Sequence, residues 1–242
     1  FHKILQAFPS IESLAHADED KLLGLWTGLG YYNRARNLQK GAKQIRTDFN
    51  GQLPEQYDEL LKIKGIGPYT AAAIASICFK EKIGVVDGNV YRVLSRYFGI
   101  STPTNSTSGQ REFQTLANEC IQGTEHPGMY NQGIMEFGAL HCTPKNPNCV
   151  YCPLSNSCHA YNSGAVTELP VKLKKGKRTK ETLHFGVVQT GNKVALRKRG
   201  TESIWAGLYE FPQLEGASQY GQLLAEPMLH KLSHKDLYCS FW

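Results

Sequence analysis

Four cysteines crowd into one short stretch of the chain and restrict its fold more than any other feature. They follow the spacing C-x6-C-x2-C-x5-C within a sequence of 242 residues, and they are Cys142, Cys149, Cys152 and Cys158. Four thiols this close together in sequence form either a disulfide knot or a metal site. The metal site is favoured, because disulfides are typical of secreted proteins and the first residues lack the apolar segment of a secretion signal. Thiolates alone suit zinc or an iron–sulfur cluster. The spacing therefore predicts a metal-binding loop and does not distinguish zinc from an iron–sulfur cluster.

Positive charge concentrates after the cysteines. Residues 1–160 carry 15 Lys/Arg and 14 Asp/Glu, whereas residues 161–242 carry 12 and 7, which together give a net charge of +6. Six of the positive residues lie in one run, and they are Lys172, Lys174, Lys175, Lys177, Arg178 and Lys180. Such a run is typical of a solvated linker or of a tether on an anionic partner. Nucleic acid is favoured over membrane because the run has no amphipathic face.

The hydrophobic pattern divides the chain into a helical part and a mixed part. Apolar residues at helical spacing predict about seven helices before residue 160, with Asp18 as an N-cap. Alternating patterns predict strands at 183–190 and 236–242, and Gly191-Asn192 is a hairpin signal. No apolar run reaches the roughly 18 residues of a membrane-spanning helix. We expect the natural protein to extend beyond both ends, because residues 1–5 read as mid-helix and residues 238–242 as mid-strand.

A glycine-rich turn at residues 64–70 is a candidate phosphate-binding element. Gly65 and Gly67 permit a tight turn, and the helix that starts at once after Pro68 directs free N–H groups into the same space. These residue types suit a helix-hairpin-helix, which grips a DNA backbone without reading bases. A plain structural turn is the alternative.

Two further segments carry candidate chemistry. Asp87 follows an apolar pair and precedes a helix, so it is either a simple N-cap or a carboxylate that stabilises positive charge on a reacting sugar. Tyr31 and Tyr32 lie near Arg34 at a helix start. Aromatic and basic side chains together suit base stacking with phosphate contact, and core packing is the alternative.

Taken together, segments 25–32, 65–70 and 86–90 and the cysteine spacing resemble the helix-hairpin-helix DNA glycosylases, in particular those of the MutY type. The segments occur in that family's order, and the resemblance spans essentially all 242 residues. The resemblance implies a mainly α fold, with a glycosylase domain at 1–141 and a [4Fe–4S] cluster loop at 142–160 that the four cysteines ligate. It also implies a basic linker at 161–182 and a partial α+β, MutT (Nudix)-like domain at 183–242.

The resemblance implies excision of adenine opposite 8-oxoguanine or guanine in double-stranded DNA, after the base is flipped out of the helix. Asp87 would stabilise the sugar cation, Asn89 would orient the groups around it, and Tyr69 would line the sugar side of the pocket. The implied DNA-contacting residues are Leu29, Tyr31, Lys64, Gly65, Gly67 and Thr70. The implied 8-oxoguanine-recognition residues are Leu232, Ser233 and His234, where the family has Phe-Ser-His.

Some positions separate this chain from its relatives. The endonuclease III branch has a lysine where this chain has Tyr69, and a tyrosine forms no Schiff base, so we expect little or no lyase activity. Segment 205–212 resembles the MutT-like domain, but residues 213–227 offer only Glu215 and Glu226 as carboxylates. Because magnesium-dependent hydrolysis needs a carboxylate-rich helix, we expect this domain to bind rather than hydrolyse.

The family's catalytic glutamate lies in a segment upstream of the region that matches Phe1. We therefore expect residues 1–242 alone to excise no adenine. The alternatives are a catalytically silent iron–sulfur protein that binds damaged DNA, an endonuclease III-like glycosylase and lyase, and, more distantly, a zinc-binding transcription factor. We expect a monomer that binds no membrane, located in a bacterial cytoplasm on the nucleoid or in a eukaryotic nucleus or mitochondrion.

Overall fold

The computed structural model describes residues 2–174, 176, 178–200, 204–215, 221–233 and 235–242. It divides into two compact units, Phe1–Leu173 and Lys174–Trp242. The boundary lies within the basic segment 161–182. Among the described residues, the regular elements of the first unit are helices and those of the second are strands. None of the helices among the described residues of either unit has the length and apolar composition needed to span a bilayer.

The helical unit follows the predicted periodicity closely. Its α-helices are α1 His2–Ala7, α2 Ile11–Ala15, α3 Glu19–Leu25, α4 Asn33–Asp48, α5 Tyr57–Leu60, α6 Pro68–Phe79, α7 Gly88–Phe98, α8 Thr107–Ile121, α9 Pro127–Leu140 and α10 His159–Asn162. Two 3-10 turns, Cys149–Tyr151 and Ser155–Ser157, lie in the cysteine loop. The helices outnumber the predicted seven because several are only one or two turns long. The predicted N-cap is confirmed, since the Asp18 side chain accepts from the N–H of Lys21 at 2.8 Å.

Helix α9 holds the central helices together. One buried cluster joins α4, α5, the turn between α5 and α6, and α6 itself. It contains Ile45, Leu60, Ile63, Ala71 and Ala75. A second joins α7 and α8, and it contains Val90, Leu94, Phe113 and Ala117. At the start of α9, a Cβ on Gly128 would lie 2.8 Å from Cα of Ile77 in α6. At its end, a Cβ on Gly138 would lie 2.8 Å from Cβ of Asn89 in α7. Both helices therefore pack directly against the α9 backbone.

The second unit is built from short strands. They are β1 Thr179–Phe185, β2 Gln189–Thr190, β3 Lys193–Val194, β4 Arg197–Lys198, β5 Tyr209–Glu210, β6 Ala225–Lys231 and β7 Lys235–Phe241. The main sheet has the order β1-β7-β6, with β1 parallel and β6 antiparallel to β7. Its core is the cluster of Phe185, Leu237 and Cys239. The described residues of this unit contain no helix.

The predicted strand at 183–190 is wrong in one respect, because it is broken after Phe185. The N–H of Gly186 donates to the carbonyl of Pro212 and that of Val187 to the carbonyl of Trp242, each at 2.8 Å. This change of partners ends β1 before β2 begins. The predicted turn at Gly191-Asn192 is confirmed, since β2 and β3 pair across it.

Candidate functional site

The glycine-rich turn is fastened to helix α4. Gly65 has φ +91°, and a Cβ there would lie 2.8 Å from Cβ of Asn37, so only glycine fits this position. The side chain of Gln44 in α4 holds the turn at two points. Its Nε2 donates to the carbonyl of Lys62, and its Oε1 accepts from the N–H of Lys64, both at 2.9 Å. The turn is therefore a fixed feature of the surface.

Helix α6 begins at this turn with its first N–H groups uncapped. Gly67 is the N-cap residue, makes no side-chain capping bond and is followed by Pro68 at the first helical position. No described residue lies within 4 Å of the position that a Cβ on Gly67 would occupy. Lys64, Gly65 and Gly67 are exposed, and Thr70 is half-buried. An anion can therefore approach the backbone of this helix start.

Asp87 is held by three donors at the start of α7. Its Oδ1 accepts from the N–H groups of Asn89 at 2.8 Å and Val90 at 2.7 Å. Its Oδ2 accepts from the Asn89 side-chain amide at 2.9 Å. Asp87 is thus an N-cap, and the helix dipole also favours negative charge at this point. The two interpretations of Asp87 are therefore compatible.

Arg92, which is not among the site residues predicted from the sequence, extends this network to the cysteine loop. Its guanidinium donates to Oδ1 of Asn89 at 2.9 Å, to the carbonyl of Cys142 at 2.7 Å and to the carbonyl of Gly138. Burial lowers the pKa of Arg92, whereas Cys142 and Asp87 raise it. Only 7% of the residue is exposed. A charged residue among the apolar positions of α7 was the available signal.

Tyr69 and Asp87 approach the same part of α9. The Tyr69 hydroxyl lies 3.8 Å from Sδ of Met135, and 48% of Tyr69 is exposed. Asn89, which holds Asp87, packs against Gly138. Met135 and Gly138 are three residues apart in one helix, which is about one turn. The structure therefore brings the starts of α6 and α7 to neighbouring points.

The loop between α3 and α4 presents two apolar side chains to solvent. Leu29 is 56% exposed and Tyr31 is 74% exposed, so Tyr31 is not a core residue. The backbone is left-handed at Gly28, at Gly30 and at Tyr31, where φ is +48°. The Arg34 guanidinium lies 5.6 Å from the Tyr31 ring centre. A tyrosine held in this conformation is strained, which is typical of a functional position.

The four cysteines line one small cavity. Cys142, Cys149, Cys152 and Cys158 are free thiols, and all four border this cavity. Arg96 also borders it, is 3% exposed, and donates to Sγ of Cys142 at 3.4 Å and to the carbonyl of Thr143 at 2.8 Å. Within the described ranges, no three His, Cys, Asp or Glu side chains are close enough together to hold a single metal ion.

The chemistry of the cavity nevertheless fits a group bound by four thiolates. Burial raises the pKa of the Cys149 thiol, the three other cysteines raise it further, and Arg96 lowers it. Four thiolates that line one cavity repel each other unless a cationic centre binds them. His141 lines the same cavity, and its buried Nε2 has no hydrogen-bond partner among the described residues. The residues present therefore suit a tetrathiolate metal centre.

The remaining candidate residues lie in the second unit. Leu232 is half-buried against the cluster of Phe185, Leu237 and Cys239. Its N–H donates to the carbonyl of Lys235 at 2.8 Å, which closes the turn between β6 and β7. Ser233 is exposed in this turn, and His234 lies outside the described residues. Leu232 thus contributes to the core of its own unit.

Comparison with known proteins identifies related sequences. The signature of the HhH-GPD superfamily base excision DNA repair proteins matches residues 1–118. The adenine DNA glycosylase of Buchnera aphidicola subsp. Schizaphis graminum is 37% identical over 215 residues, which cover 89% of this chain and 62% of that protein. The adenine DNA glycosylase of Buchnera aphidicola subsp. Baizongia pistaciae is 35% identical in an alignment of 249 positions, which covers 98% of this chain and 70% of that protein. The chain thus spans 62% and 70% of the lengths of these relatives.

Solved structures give the same fold. A thermostable thymine-DNA glycosylase matches with a TM-score of 0.61 and 28% identity, over 67% of this chain and 74% of that chain. A non-covalent endonuclease III–DNA complex matches with a TM-score of 0.57 and 25% identity, over the same shares of the two chains. The chain therefore has an endonuclease III-like fold in which helices dominate.

Proposed function

The chain belongs to the adenine DNA glycosylases of the HhH-GPD superfamily, and on that premise we propose that protein from its full reading frame excises adenine from double-stranded DNA in base excision repair. The observation that carries this proposal is the carboxylate of Asp87. Three donors hold it at the start of α7. Asn89, which supplies two of them, lies against Gly138 of α9, about one helical turn from Met135, which Tyr69 contacts. The site thus presents a fixed negative charge beside an uncapped helix start.

In the proposed reaction the N-glycosidic bond breaks and its electron pair leaves with adenine, which takes up a proton. Positive charge develops on the sugar, and the fixed carboxylate of Asp87 stabilises it. Asn89 keeps the carboxylate aimed through the bond to Oδ2. Water then adds to the sugar carbon and loses a proton. Tyr69 supplies no amine to attack the sugar, so the abasic strand stays intact.

The hairpin supplies the grip on DNA. Lys64, Gly65, Gly67 and Thr70 surround the uncapped start of α6, where a backbone phosphate can accept from N–H groups. Leu29 and Tyr31 are exposed beside Arg34 and would enter the base stack. The endonuclease III relative of similar fold was solved with DNA, which supports DNA as the partner.

Recognition of the base opposite adenine is assigned to the second unit. We propose that this MutT-like unit distinguishes 8-oxoguanine or guanine through Leu232, Ser233 and His234. Ser233 is exposed, whereas Leu232 packs against the unit's core. Binding without hydrolysis agrees with the scarcity of carboxylates at 213–227.

We also propose that the cysteine loop holds a [4Fe–4S] cluster, with Cys142, Cys149, Cys152 and Cys158 as its ligands. When bound, such a cluster supplies iron–thiolate bonds that cross-link the loop. Iron and sulfide analysis tests this: Cys149→Ser should lose both elements, and Cys78→Ser, outside the cavity, should keep them. Zinc in place of iron would refute the assignment.

The decisive experiment is a single-turnover assay of protein from the full reading frame, on duplex DNA with adenine opposite 8-oxoguanine. Asp87→Asn should lower the excision rate constant at least about 100-fold, because the charge on the sugar loses its stabiliser. Asp18→Asn is the matched control. Since asparagine caps helices as well as aspartate does, both variants should keep their stability.

Three results would change the assignment. Strand cleavage without alkali would indicate a lyase despite Tyr69. Binding without excision in the unsubstituted protein would indicate a silent damage-binding protein. Full excision by Asp87→Asn would remove Asp87 from the mechanism.

A further inference from the structure

The segment that leads to Asp87 belongs to no helix or strand, yet its backbone is held by side chains of other helices. Asn131 of α9 makes two of these bonds. Its Oδ1 accepts from the N–H of Val85 at 3.0 Å, and its Nδ2 donates to the carbonyl of Ile83 at 2.9 Å. Asn131 is only 1% exposed. One amide side chain therefore binds this segment as a neighbouring strand would.

Helix α8 holds the residue between these two. The N–H of Gly84 donates to Oδ1 of Asn118 at 2.9 Å, and its carbonyl accepts from Nε2 of Gln114 at 2.8 Å. A Cβ on Gly84 would lie 2.6 Å from the carbonyl carbon of Ala117, so the segment lies directly on the helix. Four successive backbone polar groups are thus paired by side-chain amides, two residues before Asp87.

Asn131 also connects this segment to α6. Its Nδ2 donates to Oγ of Ser76 at 2.9 Å, and Ser76 donates in turn to the carbonyl of Ala72 at 2.7 Å. Helix α6 carries Tyr69 at its start. The buried side-chain amide of Asn131 therefore connects α6, which carries Tyr69, to the segment that leads to Asp87.

We propose that Asn131 is a positioning residue that sets Asp87 for excision. Only Val86 separates Asp87 from the N–H that Asn131 holds. Displacing a catalytic group by about 1 Å lowers a rate by as much as 100-fold, so this spacing has direct consequences for catalysis. The inference rests on the proposed function, since it acts through Asp87.

The test is Asn131→Asp in protein from the full reading frame. This change keeps an acceptor for Val85 but removes both N–H donors, so the segment loses its tie to Ile83 and Ser76. In single turnover, the excision rate constant should fall between about 10-fold and 100-fold, while the Kd for DNA changes less than about threefold. Ser95→Ala is the control, because it removes a buried hydroxyl at the opposite end of α7. It should leave the rate unchanged.

A double variant separates positioning from general destabilisation. In an Asp87→Asn background, Asn131→Asp should lower the rate no further, because Asn131 acts through the carboxylate. An equal loss in that background, or an equal loss in Ser95→Ala, would overturn the proposal. If Asn131→Asp fails to fold, Ser76→Ala decides, with about a threefold loss expected and none overturning it. Full excision by Asp87→Asn itself would instead refute the proposed function.

Discussion

Gly65 and Gly67 lie two residues apart, but different constraints act on them. Gly65 needs a left-handed backbone and meets Asn37, so its lack of a side chain serves the fold. Gly67 has an ordinary backbone and open space beside it, so its lack of a side chain serves whatever approaches from outside. At the scale of the residue, one sequence motif therefore combines a structural and a functional glycine.

Substitution to alanine should separate these two roles. Gly65→Ala should lower the free energy of unfolding by about 1–3 kcal/mol, through backbone strain and the contact with Asn37. Gly67→Ala should leave stability within about 0.5 kcal/mol and weaken the Kd for DNA about tenfold, because its Cβ occupies the approach of a phosphate. Urea unfolding and titration with duplex DNA measure both. Unchanged DNA binding by Gly67→Ala would make the hairpin a plain structural turn.

Tyr31 presents the opposite balance between stability and function. Its φ of +48° costs about 1–2 kcal/mol for a residue other than glycine. Tyr31→Gly should therefore leave stability unchanged or slightly higher, while removing the exposed ring lowers affinity for mispaired DNA. Tyr32→Phe keeps both rings and serves as the control. A loss of stability in Tyr31→Gly would indicate that the ring packs against the protein.

At the scale of the element, Arg96 connects α7 to the cysteine loop. It donates to the carbonyls of Val166, Leu169, Thr143 and Pro144 as well as to Sγ of Cys142. Arg96→Lys should cost at least about 2 kcal/mol and lower the iron content, because one ammonium cannot replace this fork of donors. Thermal unfolding and iron analysis measure this, with exposed Arg111→Lys as the control. Full iron retention would show that the loop forms without Arg96.

The contact between Cys120 of α8 and Tyr130 of α9 makes the stability of the fold depend on pH. Burial and the neighbouring Cys120 raise the pKa of Tyr130 to about 12. The unfolded chain releases this proton near the ordinary value of 10, so the stability that the neutral phenol contributes falls as pH rises from 10 toward 12. Tyr130→Phe should show a shallower loss of stability over this range, whereas the exposed Tyr151→Phe should match the unsubstituted protein. Parallel curves for Tyr130→Phe would contradict the burial.

The sequence predicts some of these elements far better than others. Helices such as α7 follow from apolar spacing and from the cap at Asp87, both of which are local signals. The roles of Asn131 and Arg92 are not local, because each side chain bonds to backbone that is 46 or more residues away in sequence. The break after Phe185 is equally unpredictable, since it depends on Pro212 and Trp242. The motifs thus identify candidate residues, whereas the side chains that position them emerge only from packing.

At the scale of the whole molecule, the two units are joined through a basic segment. Lys172 and Lys174 are exposed at this junction. If the segment is a tether on DNA, replacing both by glutamine should reduce the slope of log affinity against log salt by about 2. Lys3→Gln with Lys193→Gln removes the same charge from other exposed positions and should leave the slope unchanged. Equal slopes in all three proteins would make the segment a solvated linker.

The side-chain amides of Gln114, Asn118 and Asn131 that bind the backbone of residues 83–85 also have a consequence for hydrogen exchange. Gly84 and Val85 lie in what would be classed as a loop, yet their N–H groups donate to Asn118 and Asn131. Such amides exchange with solvent only when α8 or α9 separates from the segment, so they should be as protected as helical ones. Their exchange rates would therefore measure, in the resting protein, how often the support beneath Asp87 opens.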